Sequence, residues 1–145
     1  MQPIHVPWLG VLAGFFIQMA LGWWWYSPAG FGKRWMGYLG IKMPSKMTDK
    51  MKKEAGRSMG VMALMSLVAA LCLAFGVVIV HAVLPGLPGV LAGLMVGFWA
   101  WVGFLMTNDI GPVLWEKKPV GLFLLNTGYH FVVYLAMGAV LGALA

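Results

Sequence analysis

Charge and cysteine are what this sequence has least of. Only four of its 145 residues are acidic, ten are basic and one is cysteine, while 61% are hydrophobic. Ordinary soluble domains are about a quarter charged. A soluble fold of this size could not hide so much apolar surface, because small domains keep a large share of their surface in water. The scarcity excludes a soluble enzyme, a disordered tail and a nucleic-acid module. The single Cys72 excludes a disulfide framework and a CxxC metal site, and within its apolar run it is expected as a small buried side chain. Basic residues are also missing from Met1 to His5, and the following apolar run has no clear cleavage site. That run is therefore expected to stay in the membrane as a span.

What is present is length without charge. About 20 apolar helical residues cross a bilayer core, and four stretches qualify: about 7–27, 58–83, 88–107 and 119–144. None contains Asp, Glu, Lys or Arg. Pro7, Pro88 and Pro119 sit at or near three of the starts, where a missing N–H costs nothing. The expected fold is an all-α integral membrane four-helix bundle, one membrane domain over 1–145 with connecting loops 28–57 and 108–118. Eight basic residues lie in the first of these loops, and Lys117 and Lys118 lie in the second. With four spans both loops share a side. The positive-inside rule makes that side cytoplasmic and puts both termini outside.

Aromatic residues mark the ends of the spans. Trp8 begins the first, Trp23, Trp24, Trp25 and Tyr26 close it, and Trp35 and Trp115 flank the basic loops. All seven are expected as interface anchors. The 28–57 loop carries eight basic and two acidic residues, a net +6. Its second half reads as a short interfacial helix running into the second span, with Thr48 as N-cap and Asp49 in the first turn. Met47, Met51, Ala55 and Met59 recur every four residues there. Lys46, Lys50, Lys52 and Lys53 around them are placed to meet anionic lipid headgroups. A basic face committed to the membrane leaves none for nucleic acid.

Small residues recur at every fourth position. Gly10, Gly14 and Gly22 line the first span, Ser66, Ala70 and Ala74 the second, and Gly89, Gly93 and Gly97 the third. In the fourth, Asn126, His130, Tyr134, Gly138 and Gly142 form one ridge. Such rows let helix backbones approach closely in lipid, either within one chain or between a chain and its partner. The pentapeptide Gly-Val-Leu-Ala-Gly occurs at both 10–14 and 89–93, as duplication of a helical hairpin would leave it.

Polar residues within the spans are few. His130 lies about 16 Å along its helix, near the expected midplane, and Gln18 on the first span is expected to meet the Asn126/His130/Tyr134 stripe. That stripe serves either interhelical hydrogen bonding or a path for protons or a small solute. His5 and His81 fall at the outer surface while His130 is deep, so no metal site and no cofactor is expected. Asp109 and Glu116 flank the 108–118 loop, where capping and pairing with Lys117 or Lys118 accounts for them. No catalytic constellation is visible, and a non-enzymatic protein is expected.

Two motifs carry a family resemblance. One is Gly22, Trp25-Tyr26-Ser27-Pro28, Phe31-Gly32 and Trp35; the other is Glu116-Lys117-Lys118-Pro119, Leu122 to Asn126, Gly128-Tyr129 and Met137-Gly138. They resemble the first- and fourth-span signatures of a bacterial membrane family of unknown function, number 1761 of the domain-of-unknown-function series. The resemblance covers essentially the whole chain. It implies a four-helix protein of the bacterial inner membrane and brings no activity with it. From the residues, the leading expectation is assembly, with a second copy or as an accessory subunit of a larger membrane complex. The alternative is a small channel or secondary transporter using Gln18, Asn126, His130 and Tyr134. A haem- or quinone-associated redox component forms a third class.

Overall fold

The computed structural model describes residues 6–42 and 48–145, so His5, Lys46 and Met47 lie outside it. Helix α1 (Trp8–Trp25) is followed by a short α2 (Gly32–Leu39) and a long α3 (Asp49–Val83). Next comes α4 (Gly89–Ala100), which continues through a π-helical turn (Trp101–Met106) into α5 (Thr107–Asp109) and α6 (Gly111–Trp115). Helix α7 (Val120–Ala143) closes the chain. Among the described residues there is no strand, and four helical stretches are long and apolar enough to cross a membrane: Trp8–Trp25, Asp49–Val83, Gly89–Trp115 and Val120–Ala143.

Local chemistry sets the ends. Pro7, Pro88 and Pro119 occupy the N-cap positions of α1, α4 and α7. The Thr48 side chain accepts the Met51 N–H at 3.3 Å and caps α3. Helix α1 stops in a compact turn. The Ser27 hydroxyl donates to the Trp24 carbonyl, and Phe31 N–H returns to the Trp25 carbonyl at 2.7 Å. A Cβ at Gly30 would strike the Trp24 carbonyl, and one at Gly32 the Tyr26 carbonyl, so only glycine lets the chain fold back here.

The third span runs further than its charges suggest. The first charge, Asp109, predicts the start of a loop, yet the helical path continues to Trp115 with a break only at Ile110. Pro112 explains the break, because its ring nitrogen cannot donate to the carbonyl one turn back. The π turn lies just before. Its widened backbone is supported by Thr107, whose hydroxyl donates to the Gly103 carbonyl at 2.9 Å.

Residues 49–57 are the first turns of the same unbroken helix as the second span, so the basic segment runs directly into it. Apolar continuity into Met59, Val61 and Met62 favours extension over a break. The separate short helix is α2, carrying Lys33, Arg34 and Trp35. Lys52 pairs with Asp49 at 3.5 Å and Lys50 with Glu54 at 4.0 Å, while Lys53 is exposed. Pairs this exposed add little stability. Among the described residues of the methionine stripe, Met51 is half-buried while Ala55 and Met59 are exposed.

The core is a seam where α1, α3, α4 and α7 meet. Val11, Ala70, Leu73, Ala74, Val77, Val133, Met137 and Leu141 are buried in it. Cys72 lies off this inward face of α3 and is exposed, contrary to the buried role expected. In lipid that position faces acyl chains, for which a thiol is apolar enough.

The small-residue rows are used inside this one chain. A Cβ at Gly93 would overlap the Gly138 carbonyl, one at Gly89 the Gly142 carbonyl, and one at Gly97 the Tyr134 carbonyl. Thus α4 and α7 touch backbone to backbone over two turns. Gly10 abuts Leu141, Gly14 faces Ala70 and Met137, and Gly22 faces the Tyr129 hydroxyl. Ser66, Ala70 and Ala74 are fully buried, Ser66 donating to the Met19 sulfur at 3.7 Å.

Candidate functional site

The ridge on α7 divides into two parts. Gly138 and Gly142 belong to the glycine contact with α4. Asn126 and His130, nearer the Lys-rich end, meet polar partners instead. His130 Nδ1 lies 2.8 Å from Asp109 Oδ2, with the two side chains 27% and 18% exposed. An ionised carboxylate only accepts, so with Asp109 charged Nδ1 carries the proton of this bond and Nε2 is the other ring nitrogen. Among the described residues Nε2 has no hydrogen-bond partner in the protein.

Helix geometry brings this pair together. The π turn adds one residue to its circuit and re-aims the next turn of helix, here α5 with Asp109. Trp101 begins that turn and donates from its indole N–H to the Thr127 carbonyl of α7 at 2.9 Å. Its ring also lies 4.7 Å, centroid to centroid, from Phe131. Trp101 therefore wedges α4 from α7 just where the glycines end, leaving room between them for an imidazole and a carboxylate.

Asn126 is tied to the end of α1. The Tyr26 hydroxyl donates to Asn126 Oδ1 at 3.1 Å, and Trp35 lies edge-on to the Tyr26 ring at 5.5 Å. Tyr129 meets Tyr26 edge to face, and its hydroxyl donates to the Gln18 carbonyl at 3.3 Å. Gln18 thus joins through its backbone. Its side-chain Oε1 is buried without a partner among the described residues, and it does not meet Asn126, His130 or Tyr134 as expected. At this level it is Tyr129 that faces α1 and reaches Gln18. Tyr134 is half-buried against the core and makes no hydrogen bond there among the described residues.

The expected anchors also separate. Trp8, Trp23, Trp24 and Trp115 are exposed, as anchors require. Trp25 turns inward between Phe31 and Tyr129, and its indole N–H is buried without a partner among the described residues. Tyr26 and Trp35 likewise face the protein in part. Three of the seven therefore help build the site.

A pocket of about 180 Å³ opens beside the pair, between α6 and the first turns of α7. Asp109, Asn126, Glu116 and Lys118 supply its polar lining, and Pro112, Val113, Leu122 and Phe123 its apolar walls. Asp109 is common to pocket and pair. It does not pair with Lys117 or Lys118 as expected, since the helix places it under His130 instead. Asp109, Trp101 and Tyr129 are not among the site residues that the sequence suggests. The only sequence signal for Asp109 is its position two residues past an apolar run, ahead of the break at Pro112. Among the described residues no group of three or more His, Cys, Asp or Glu side chains is placed to hold a metal.

Fold and site define a helical-bundle protein with four helices suited to a membrane and a polar cluster between two of them. Residues 9–142 match the family described as protein of unknown function, DUF1761, and the chain belongs to that family. No curated protein and no solved structure matches it.

Proposed function

We propose that this chain crosses the bacterial inner membrane four times and passes protons, or a small solute coupled to them, using Asp109 and His130. The observation that carries this reading is the 2.8 Å contact between an acid and an imidazole at mid-length of α7. Ionisable groups inside membrane helices are costly and mark proton or ion pathways. The positive-inside rule orients the Lys-rich end, and with it the pocket, towards the cytoplasm. Asp109 then faces the cytoplasmic side through the pocket. His130 takes a proton at Nε2 and releases one from Nδ1 to the Asp109 carboxylate, the two-nitrogen shuttle that imidazole chemistry permits. Towards the outer side the glycine contact closes the path, so passage requires α4 and α7 to part there.

The leading expectation from the sequence, assembly as a homo-oligomer or accessory subunit, draws on the small-residue rows. Those rows are occupied by neighbours within the chain, and the relay reading rests on the polar site. The test is proton flux into liposomes carrying a pH-sensitive dye, under an imposed potential. Asp109→Asn and His130→Gln are each expected to slow flux at least tenfold while eluting from a sizing column like the parent. Unchanged flux in both would sink the relay and leave assembly as the reading.

A further inference from the structure

The pocket at the Lys-rich end holds polar groups that a proton relay does not need. Asp109 gives one oxygen to His130 and also borders the cavity. Asn126 lines the floor beside it. Glu116 and Lys118 line the cavity too, and neither makes an ion pair among the described residues.

The backbone is bent to achieve this. Lys117 takes a left-handed conformation, φ 55°, the only non-glycine described with positive φ. That conformation is unfavourable for a residue with a side chain. Around it, the N–H groups of Glu116 and Lys118 both return to the Pro112 carbonyl at 3.1 Å. Glu116 and Lys118 consequently border the cavity while Lys117 does not. Glycine is the usual residue at such a left-handed helix end.

The chemistry selects a ligand of two charges. The volume of about 180 Å³ is below the roughly 300 Å³ at which drug-sized pockets begin, so the ligand has few heavy atoms. We propose that this pocket binds a small zwitterion, a primary ammonium joined by a short link to a phosphate or carboxylate. The ammonium has three N–H donors for Asp109, Asn126 and Glu116, and the anion meets Lys118. Leu122 and Phe123 pack the linking carbons. The same chemistry is offered by a free solute and by an ethanolamine phospholipid headgroup. This goes beyond the proton relay, with which it shares only Asp109.

The test uses the full chain in detergent, titrated calorimetrically with phosphoethanolamine, phosphocholine and inorganic phosphate. Phosphoethanolamine is expected to bind, with the other two at least tenfold weaker, since one lacks N–H donors and the other the cation. Glu116→Gln and Lys118→Ala, both at exposed positions, are each expected to weaken binding about tenfold, the worth of one charge-assisted contact. Equal binding of phosphocholine or phosphate, or full affinity in Lys118→Ala, overturns the proposal. In a second arm, native mass spectrometry follows lipid released with the protein from nanodiscs of ethanolamine or choline phospholipid. Ethanolamine lipid retained by the parent and lost from Lys118→Ala makes the headgroup the source; soluble binding without retention makes a free solute the source. Failure of both arms overturns the site. Binding is read without flux, so a parent chain that binds phosphoethanolamine but carries no protons sinks the relay alone, and one that carries protons but binds no zwitterion sinks the zwitterion site alone.

Discussion

Towards the chain ends, α4 and α7 touch backbone to backbone at Gly89–Gly142 and Gly93–Gly138, whereas past Tyr134 the same helices are held apart by Trp101 and joined by Asp109 and His130. Both halves use one ridge of α7 at four-residue spacing. Where that ridge carries glycine the contact is dry and admits no side chain at all. Where it carries asparagine and histidine the partner helix must widen, and the π turn supplies the extra residue at that point. The lesson is that a single helix face can be both clamp and site. Close packing in one half fixes the geometry with which polar groups meet in the other.

The largest effect is expected from breaking the clamp. Gly93→Val places methyl groups against the Gly138 backbone, which cannot give as a side-chain tip can. A loss of about 3 kcal/mol or more is expected on the scale of overpacked cores, read as a lower unfolding midpoint in detergent. The wedge comes next. Trp101→Phe keeps most of the ring against Phe131 but removes the N–H bond to the Thr127 carbonyl. Unfolding should be easier by about 1 kcal/mol, and a larger share of the change should appear as lost proton flux than for Gly93→Val.

Smaller effects sharpen the comparison with opposite sign. Lys117→Gly relieves the left-handed turn and is expected to stabilise by about 0.5 kcal/mol, once glycine's extra unfolded-state freedom is subtracted. Gly14→Ala tests the pentapeptide that α1 shares with α4. Its neighbours Ala70 and Met137 stand at 3.6 and 3.8 Å, ordinary contact distances, so the added methyl fits. Helix propensity should then make this variant about 0.5 kcal/mol more stable. Destabilisation by more than 1 kcal/mol would mean that both copies of Gly-Val-Leu-Ala-Gly clamp alike.

The same contrast separates the features legible in the sequence from those that are not. Four apolar stretches, their proline starts, the Thr48 cap and the ridge on α7 come from periodicity and composition, because helix spacing alone dictates them. The glycine rows are visible for the same reason, but not their partners. Whether Gly93 meets Gly138 or another chain depends on how helices are arranged. Asp109 escapes notice because a charge normally marks the end of a span, and no local signal announces a π turn. Tyr129 is hidden by its neighbour: His130 draws the polar reading, while the buried phenol beside it makes the contact with α1. Trp25 groups with Trp23 and Trp24 because adjacent tryptophans look alike in sequence, although around a helix they point apart.

Helices α1 and α3 place unequal demands on the surrounding lipid. Eighteen residues give α1 a length of roughly 27 Å at 1.5 Å per residue, slightly under the ~30 Å hydrocarbon thickness. The uncharged part of α3, residues 58–83, extends for roughly 39 Å, and charged turns continue the helix beyond it. One span is met by thinning the bilayer and the other by tilting. A bundle with both on adjacent helices sits in a membrane of uneven thickness around its circumference. It is expected to favour bilayers thin enough to spare α1, with α3 leaning to take up the surplus.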